Sequence, residues 1–444
     1  MPLDELIEFS ESPFVSVFQA QHQETLRAFI GNFFKCMVSV ELSPMRQIKQ
    51  LCDIDLRVLP GESVHEVNDR EVWVTVYPYW KKKANVAVGV VLSDPQFRLP
   101  SETFLGILAR QLLKRFRQAI RYSFDVDLQI FGEHLITDLI GEYIARVGFD
   151  QHKIRFVIDL FRSIRTTTFE DRVFNTGLII TRSHRAYRAE SRYCRIVPLN
   201  EPIVVVPSLR YENRFWYLAD GSSCFYVCDR NLKINSLFFF DDEHTITSFI
   251  STKFLSRYLD EQDVAFRTIN GKEMVIVEAT GDEFTYSAGQ WHFRNYVDIK
   301  DAIMEVLPLF GQSAIEALME LIWSLMTRRN SSLIWIPKRQ EDIPSLTMRS
   351  TRLWDERILL DDPRYSGLIY RLASSDGALV FLQDSRVACF GAIANIRASS
   401  YDSQHIIGSG ELAAQFLSQS GVVIKVSQDG RGRVYRDMKM RWII

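Results

Sequence analysis

The sequence predicts an α/β (α+β) protein that ends in a mixed sheet flanked by helices, on three observations. Apolar residues recur at helical spacing in some stretches and form short β-branched or aromatic runs in others, the signatures of amphipathic helix and half-buried strand. Strand patterns dominate 202–296 and are separated by Asp220-Gly221, Asn270-Gly271 and Ala288-Gly289, pairs suited to tight turns. Strand gives way to helix near 298–301, and helical and strand patterns then follow one another to the end. A chain of 444 residues is long enough for two or three cores. The expected division is an N-terminal α/β domain (1–165), a β-rich middle domain (166–298) and a C-terminal α/β domain (299–444).

Taken in order, 21–38 reads as a helix, because Leu26, Phe29, Ile30 and Phe33 share one face. Runs at 71–77 and 85–92 read as a hairpin across a loop carrying Lys81, Lys82 and Lys83 beside Tyr79 and Trp80, either a nucleic-acid contact or solvated lysines. From 101, Leu105, Leu108, Leu112 and Phe116 form the apolar face of a helix, and Arg110, Lys114, Arg117 and Arg121 form a basic stripe. Further helices are expected over 135–147 and 154–164. Arg182, Arg185, Arg188, Arg192 and Arg195 recur three or four apart and would align on one side of a helix. Glu190 is the one acid within that run, so the guanidiniums call for an anion. The readings are a phosphate contact through Arg182, Arg185, Arg188 and Arg192, a solvated face, or an interface with Asp241, Asp242 and Glu243. Strands are then expected at 203–206, 214–218, 224–228, 237–240, 274–278, 284–287 and 291–297, with a helix over 247–258.

Composition narrows the function classes. Lys and Arg number 53 against 55 Asp and Glu, a net charge of −2, so no global field draws the chain to nucleic acid or anionic lipid. No apolar run reaches the roughly 18–20 residues of a bilayer span. The acidic start, Met1 to Glu8, and six scattered cysteines fit free thiols in a cytoplasmic protein. Cys224 and Cys228 share a strand face without a second Cys or His pair at zinc-site spacing. The eight histidines are isolated, and Walker, dinucleotide and Gly-x-Ser-x-Gly motifs are absent.

The stretch 375–437 concentrates the features of a ligand site. Asp376-Gly377-Ala378 opens an apolar strand that pairs with a second run at 387–393. The glycine permits close backbone approach and the carboxylate can take a hard cation or a hydroxyl; a plain turn into a strand is the alternative. Gly408-Ser409-Gly410 precedes the helical Glu411-Leu412-Ala413-Ala414, with Ser409 as N-cap and backbone N–H groups open to an anion, or simply a capped helix. An apolar strand over 421–427 ends at Ser427-Gln428-Asp429 and turns into a closing strand at Arg433.

This order of motifs resembles the diadenylate cyclase domain first described in the DNA-integrity-scanning protein. That family carries Asp-Gly-Ala at a strand start, Gly-Thr-Arg-His-Arg-Ala-Ala at a helix start and a strand ending in Val-Ser-Glu-Glu. Here stand Asp376-Gly377-Ala378, Gly408-Ser409-Gly410-Glu411-Leu412-Ala413-Ala414 and Val426-Ser427-Gln428-Asp429. Upstream, an amphipathic helix over 313–329 running into a strand at 331–336 is similar to the variant group proposed as nucleotide sensors in bacterial defence loci. The resemblance covers the last third of the chain. It implies a nucleotide site at Asp376, Gly377, Ala378, Gly408, Ser409, Gly410, Glu411, Ser427, Gln428 and Asp429, with Asp376 as metal ligand for Mg or Mn arriving with the nucleotide. Both family arginines are missing: Gly410 and Leu412 take their places and Glu411 that of the histidine. The expectation is a sensor of a nucleotide or cyclic dinucleotide, reporting to an effector protein or through a homo-oligomer. An active cyclase making cyclic di-AMP and a non-binding scaffold are the alternatives.

Overall fold

The structure, a computed structural model, describes residues 23–34, 37–44, 65–67, 71–76, 86–93, 102–121, 132–182, 194–240, 255–256, 259–353, 357–396, 408–428 and 430–444. The chain forms two compact units, Met1–Asp242 with Arg257–Phe293, and Glu243–Ser256 with Arg294–Ile444.

In the first unit, α1 (Gln23–Phe34) leads into β1 (Met37–Pro44), which joins β2 (His65–Val67), β3 (Glu71–Val76) and β4 (Val86–Ser93) in an antiparallel sheet of order β1-β4-β3-β2. The hairpin expected at 71–92 is therefore present, while its lysine loop lies outside the described residues. Helices α2 (Glu102–Arg121), α3 (Glu133–Ala145) and α4 (Gln151–Ile164) follow. Asp150 caps α4 by accepting from the backbone N–H groups of His152 and Lys153 at 2.8 and 3.2 Å. After a small hairpin of β5 (Thr168–Phe169) and β6 (Arg172–Val173) come β7 (Gly177–Ile180), β8 (Cys194–Val204), α5 (Asn213–Tyr217), β9 (Cys224–Cys228), β10 (Lys233–Phe240), β11 (Val264–Ile269), β12 (Glu273–Glu278), β13 (Asp282–Ser287) and β14 (Gln290–Asn295). The last eight strands form one sheet, β14-β13-β12-β11-β7-β9-β10-β8, in which β7 and β9 run parallel.

Four expectations are corrected here. No boundary falls at residue 165, because the first helices and the large sheet share a core: Phe33, Phe104 and Tyr143 meet Phe284 and Phe293, with ring centroids from 4.6 Å (Phe104–Tyr143) to 6.3 Å (Phe33–Phe284). Aromatic packing of this kind holds elements together whatever their order in the chain. The run 214–218 is helical rather than extended; Trp216 is buried and its indole N–H donates to the Leu209 carbonyl at 2.8 Å, which suits a helical turn. Arg195 lies in β8, opposite Phe239, so it extends no arginine-lined helix. Strand β11 was not anticipated, since the buried Arg267 interrupts its apolar pattern. In the basic stripe of α2, Arg110 is exposed and pairs with Glu142 of α3 at 2.9 Å, while Arg115, outside the stripe, joins Arg155 on Asp138. Cys224, Cys228 and Cys389 are buried free thiols, and burial pushes that of Cys224 up to about 12.

A buried carboxylate gives the first unit a pH signature. Glu278 is 4% exposed and receives two hydrogen bonds from Arg146, at 2.9 and 3.2 Å. Asp282 beside it accepts from the Tyr143 hydroxyl at 2.6 Å. Burial raises Glu278 from 4.5 to about 7, and the nearby Asp282 adds to the rise, although Arg146 opposes it. The folded state therefore holds this proton more tightly than the unfolded chain, and stability falls as pH rises from 4.5 to about 7. Thermal unfolding should show a loss on the order of 2–3 kcal/mol across that window, and Glu278→Gln should flatten the slope.

The second unit contains α6 (Tyr296–Val306), α7 (Gln312–Thr327), β15 (Ser332–Pro337), α8 (Asp342–Leu346), β16 (Thr347–Thr351), α9 (Ser366–Ala373), β17 (Ala378–Phe381), β18 (Val387–Ala394), α10 (Ser409–Leu417), β19 (Gly421–Val426), β20 (Gly432–Arg436) and β21 (Lys439–Ile443). Its sheet runs β16-β18-β17-β15-β19-β20-β21 and is mixed: β15 and β17 are parallel, and β19 is antiparallel to β15. Side-chain alternation builds two layers. Ile334, Ile336, Leu379, Phe381 and Ile424 pack with Ile315, Leu318, Met319 and Ile322 of α7. Trp335, Ala378, Val380, Val423 and Tyr435 pack with Ala414 and Leu417 of α10. The helix expected at 313–329, the strand after it and the hairpin of β17 and β18 are all present. No helix among the described residues is long and apolar enough to cross a membrane.

Candidate functional site

Strand register assembles the site. In the parallel pair Leu333 lies beside Ala378, so the residues entering β15, Ser331 and Ser332, neighbour those entering β17, Asp376 and Gly377. Ala378 also pairs with Ala392 near the end of β18, and Ser332 with Val426 at the end of β19. Two strand starts and two strand ends thus meet at one edge of the sheet, and the first turn of α10 lies against Lys425 there. Between them is a cleft of about 430 Å³ lined by Ser331, Ser332, Leu333, Ser374, Ser375, Asp376, Gly377, residues 392–394, Ser409, Gly410, Ala413 and Lys425.

Gly377 is required at this edge. Its φ is +85°, and a Cβ there would sit 2.7 Å from the Gly391 carbonyl carbon and 3.0 Å from the Ala392 nitrogen. Asp376 is exposed, and its Oδ1 accepts the Gly377 N–H at 3.0 Å. Ser374 and Ser375 donate to the carbonyls of Tyr370 and Leu372 at 2.9 and 2.6 Å. The Ser332 hydroxyl differs: the residue is 5% exposed and its Oγ has no hydrogen-bond partner in the protein. Its pairing with Val426 places that hydroxyl on the α7 face of the sheet, away from the face that carries Lys425 and α10.

Helix α10 departs from the expected capping. Gly408 holds the N-cap position, Ser409 is the first helical residue, and no side chain caps the helix. The carbonyl of Gly408 takes the N–H groups of Glu411 and Leu412, at 2.9 and 3.1 Å.

Glu411 lies behind the cleft wall. Its Oε2 accepts from Lys425 Nζ at 3.0 Å and from the Arg433 guanidinium at 2.8 Å, and its Oε1 from the Tyr435 hydroxyl. Burial would raise this carboxyl, but the hydrogen bonds from Tyr435 and Lys425, with the charges of Arg433 and Lys425, hold it below the usual range. Burial, with the hydrogen bond to and charge of Glu411, pushes the Tyr435 phenol up.

Of the residues expected at the site, Asp376, Gly377, Ser409 and Gly410 line the cleft together. Ala378 is buried in β17, and Gly408 is exposed one position before α10. Ser427 and Gln428 are at the same edge but outside the cleft lining, because the turn closed by Gly430 N–H on the Ser427 carbonyl (2.9 Å) leads into β20, on the far side of β19 from β15. Asp429 lies outside the described residues, as do Arg185, Arg188 and Arg192; Arg182 is exposed in the first unit. Sequence reasoning missed Ser331, Ser332, Ser374, Ser375 and Lys425. The available signals were the serine doublets just before two strands and one lysine inside the apolar run Gly421–Val426.

Among the described residues Asp376 is the one carboxylate lining the cleft, and no group of three or more His, Cys, Asp or Glu is arranged to hold a metal ion. A hard cation at this position would take one protein carboxylate and complete its shell with ligand and water oxygens, the mode in which Mg²⁺ accompanies phosphates. No family model matches the chain, and no curated protein matches it.

Proposed function

We propose that the second unit binds a nucleotide or cyclic dinucleotide and acts as a cytoplasmic sensor with a degenerate diadenylate-cyclase-like domain. The supporting observation is that Asp376-Gly377 and Ser409-Gly410, distant in sequence and matched to two motifs of that family, line one cleft. A hydroxyl-rich wall suits ribose and base edges. The uncapped start of α10 suits a phosphate, and Lys425 lines the same cleft. Asp376 would hold Mg or Mn brought by the ligand. Occupancy would be reported to an effector protein or through self-association.

Calorimetry of the full chain with ATP and cyclic di-AMP, with and without Mg²⁺ or Mn²⁺, tests this reading. At least one adenine ligand should bind, and Asp376→Ala should weaken it by about tenfold or more, the scale of one charge-assisted contact. Absence of binding by any of these ligands, with the fold intact, would leave the scaffold alternative standing.

A further inference from the structure

We infer that Glu411 is a built-in counter-anion that sets the charge preference of the cleft, so that it takes a ligand of low charge, a nucleoside or phosphodiester, in preference to a triphosphate. The inference rests on the nucleotide reading for the ligand's identity but not for its charge. Three donors converge on one carboxylate: Lys425 Nζ at 3.0 Å, Arg433 at 2.8 Å and the Tyr435 hydroxyl. All four side chains are at least half-buried. Lys425 lines the cleft, and an added Cβ on Gly410 would lie 3.4 Å from its Cε, so the lysine stands at the first turn of α10.

Without Glu411, the Lys425 ammonium would stand at the cleft beside the start of a nine-residue helix, with Arg433 and Tyr435 behind it. That is the composition of a phosphate site. With Glu411 present, one carboxylate offsets one of the two cations and engages the Lys425 ammonium that lines the cleft. A polyphosphate entering the cleft must displace the carboxylate or lie close to it, and like charges a few ångströms apart in a half-buried setting repel strongly. A neutral hydroxylated ligand meets no such barrier, and a diester with one charge per phosphate meets a smaller one.

The test titrates tripolyphosphate, adenosine, AMP and ATP into wild-type full chain, Glu411→Gln and Glu411→Gln/Lys425→Gln by calorimetry. Glutamine keeps the side chain's shape, with its one carbonyl oxygen accepting from Lys425 and its amide N–H donating to the Tyr435 oxygen, which favours an intact fold; far-UV circular dichroism and thermal melts check it. Glu411→Gln should bind tripolyphosphate and ATP roughly tenfold or more tightly than wild type, the double variant should lose most of that gain, and adenosine affinity should not change. A change below about threefold for both anions in a folded Glu411→Gln overturns the inference. The wild type gives a second arm that depends on no variant: ATP binding about a hundredfold tighter than adenosine would also overturn it. Tripolyphosphate gain in Glu411→Gln without binding of any adenine ligand supports the charge inference and removes the nucleotide reading.

Discussion

Gly377→Val is expected to destabilise the second unit by about 2–6 kcal/mol, the sum of a left-handed backbone forced on a β-branched residue and of overpacking. Both terms come from one place. The φ of Gly377 is +85°, and its missing side chain leaves the start of β17 against the backbone of Gly391 and Ala392, at 2.7 and 3.0 Å from where a Cβ would stand. Backbone cannot rotate away as a flexible side chain can, so β17 and β18 must separate. Asp376 and the Ala392–Ala394 wall would move with them, and the cleft would be lost. Against a typical total of about 5–15 kcal/mol, this is a large fraction of domain stability. Thermal and urea unfolding would measure it. Gly410→Ala is the matched control, because its Cβ would meet only the flexible end of Lys425, Cε at 3.4 Å and Nζ at 3.8 Å. A Gly377→Val protein as stable as wild type would show that this strand edge is not packed as described.

Incubated with ATP and Mn²⁺ or Mg²⁺, the protein is expected to form no cyclic di-AMP above background. Transfer at the α-phosphate builds negative charge on phosphorus and on the pyrophosphate leaving group, and fixed cations or metal must meet it. In the diadenylate cyclase family that these motifs resemble, two arginines would do so; by that resemblance Gly410 and Leu412 fall in their places. The neighbouring cations do not substitute for them, because Lys425 and Arg433 both hydrogen-bond to Glu411. One lost transition-state contact of this kind typically lowers the rate by about a hundred- to a thousandfold, and two lower it further. Binding is less demanding, since a helix start and hydroxyls can hold a phosphate that is already bonded. Chromatography of the reaction mixture decides the matter. Cyclic di-AMP that disappears in Asp376→Ala would replace the sensor by an active cyclase.

The parts of the site that were readable in the residues are those whose chemistry is local. Asp-Gly at a strand start and Gly-Ser-Gly at a helix start are signals set by backbone preference, and four of those residues line the cleft. Ser427 and Gln428 show the limit of such signals: a turn can be recognised from Gly430, but the side of the sheet on which it closes depends on strand order. The arginines of 182–195 show another. Spacing of three and four suggests a helix, yet Arg195 is held extended by pairing with β10. Local periodicity was outweighed there by hydrogen bonds to a strand distant in sequence.

By itself the sequence determined the α/β class, the helices α2, α3, α4 and α7, and the strands around Asp376, because apolar spacing and turn residues act within a few positions of one another. Only the tertiary structure decided that the first helices and the eight-stranded sheet share one core, since that depends on Phe33 and Phe104 reaching Phe284 and Phe293. It also decided the state of Glu411. In the sequence that residue is an acid where a basic triplet would stand; in the fold it lies between Lys425, Arg433 and Tyr435. Those partners come from two later strands, and which charges end up paired is settled by the register of β19 with β20, Lys425 opposite Arg433.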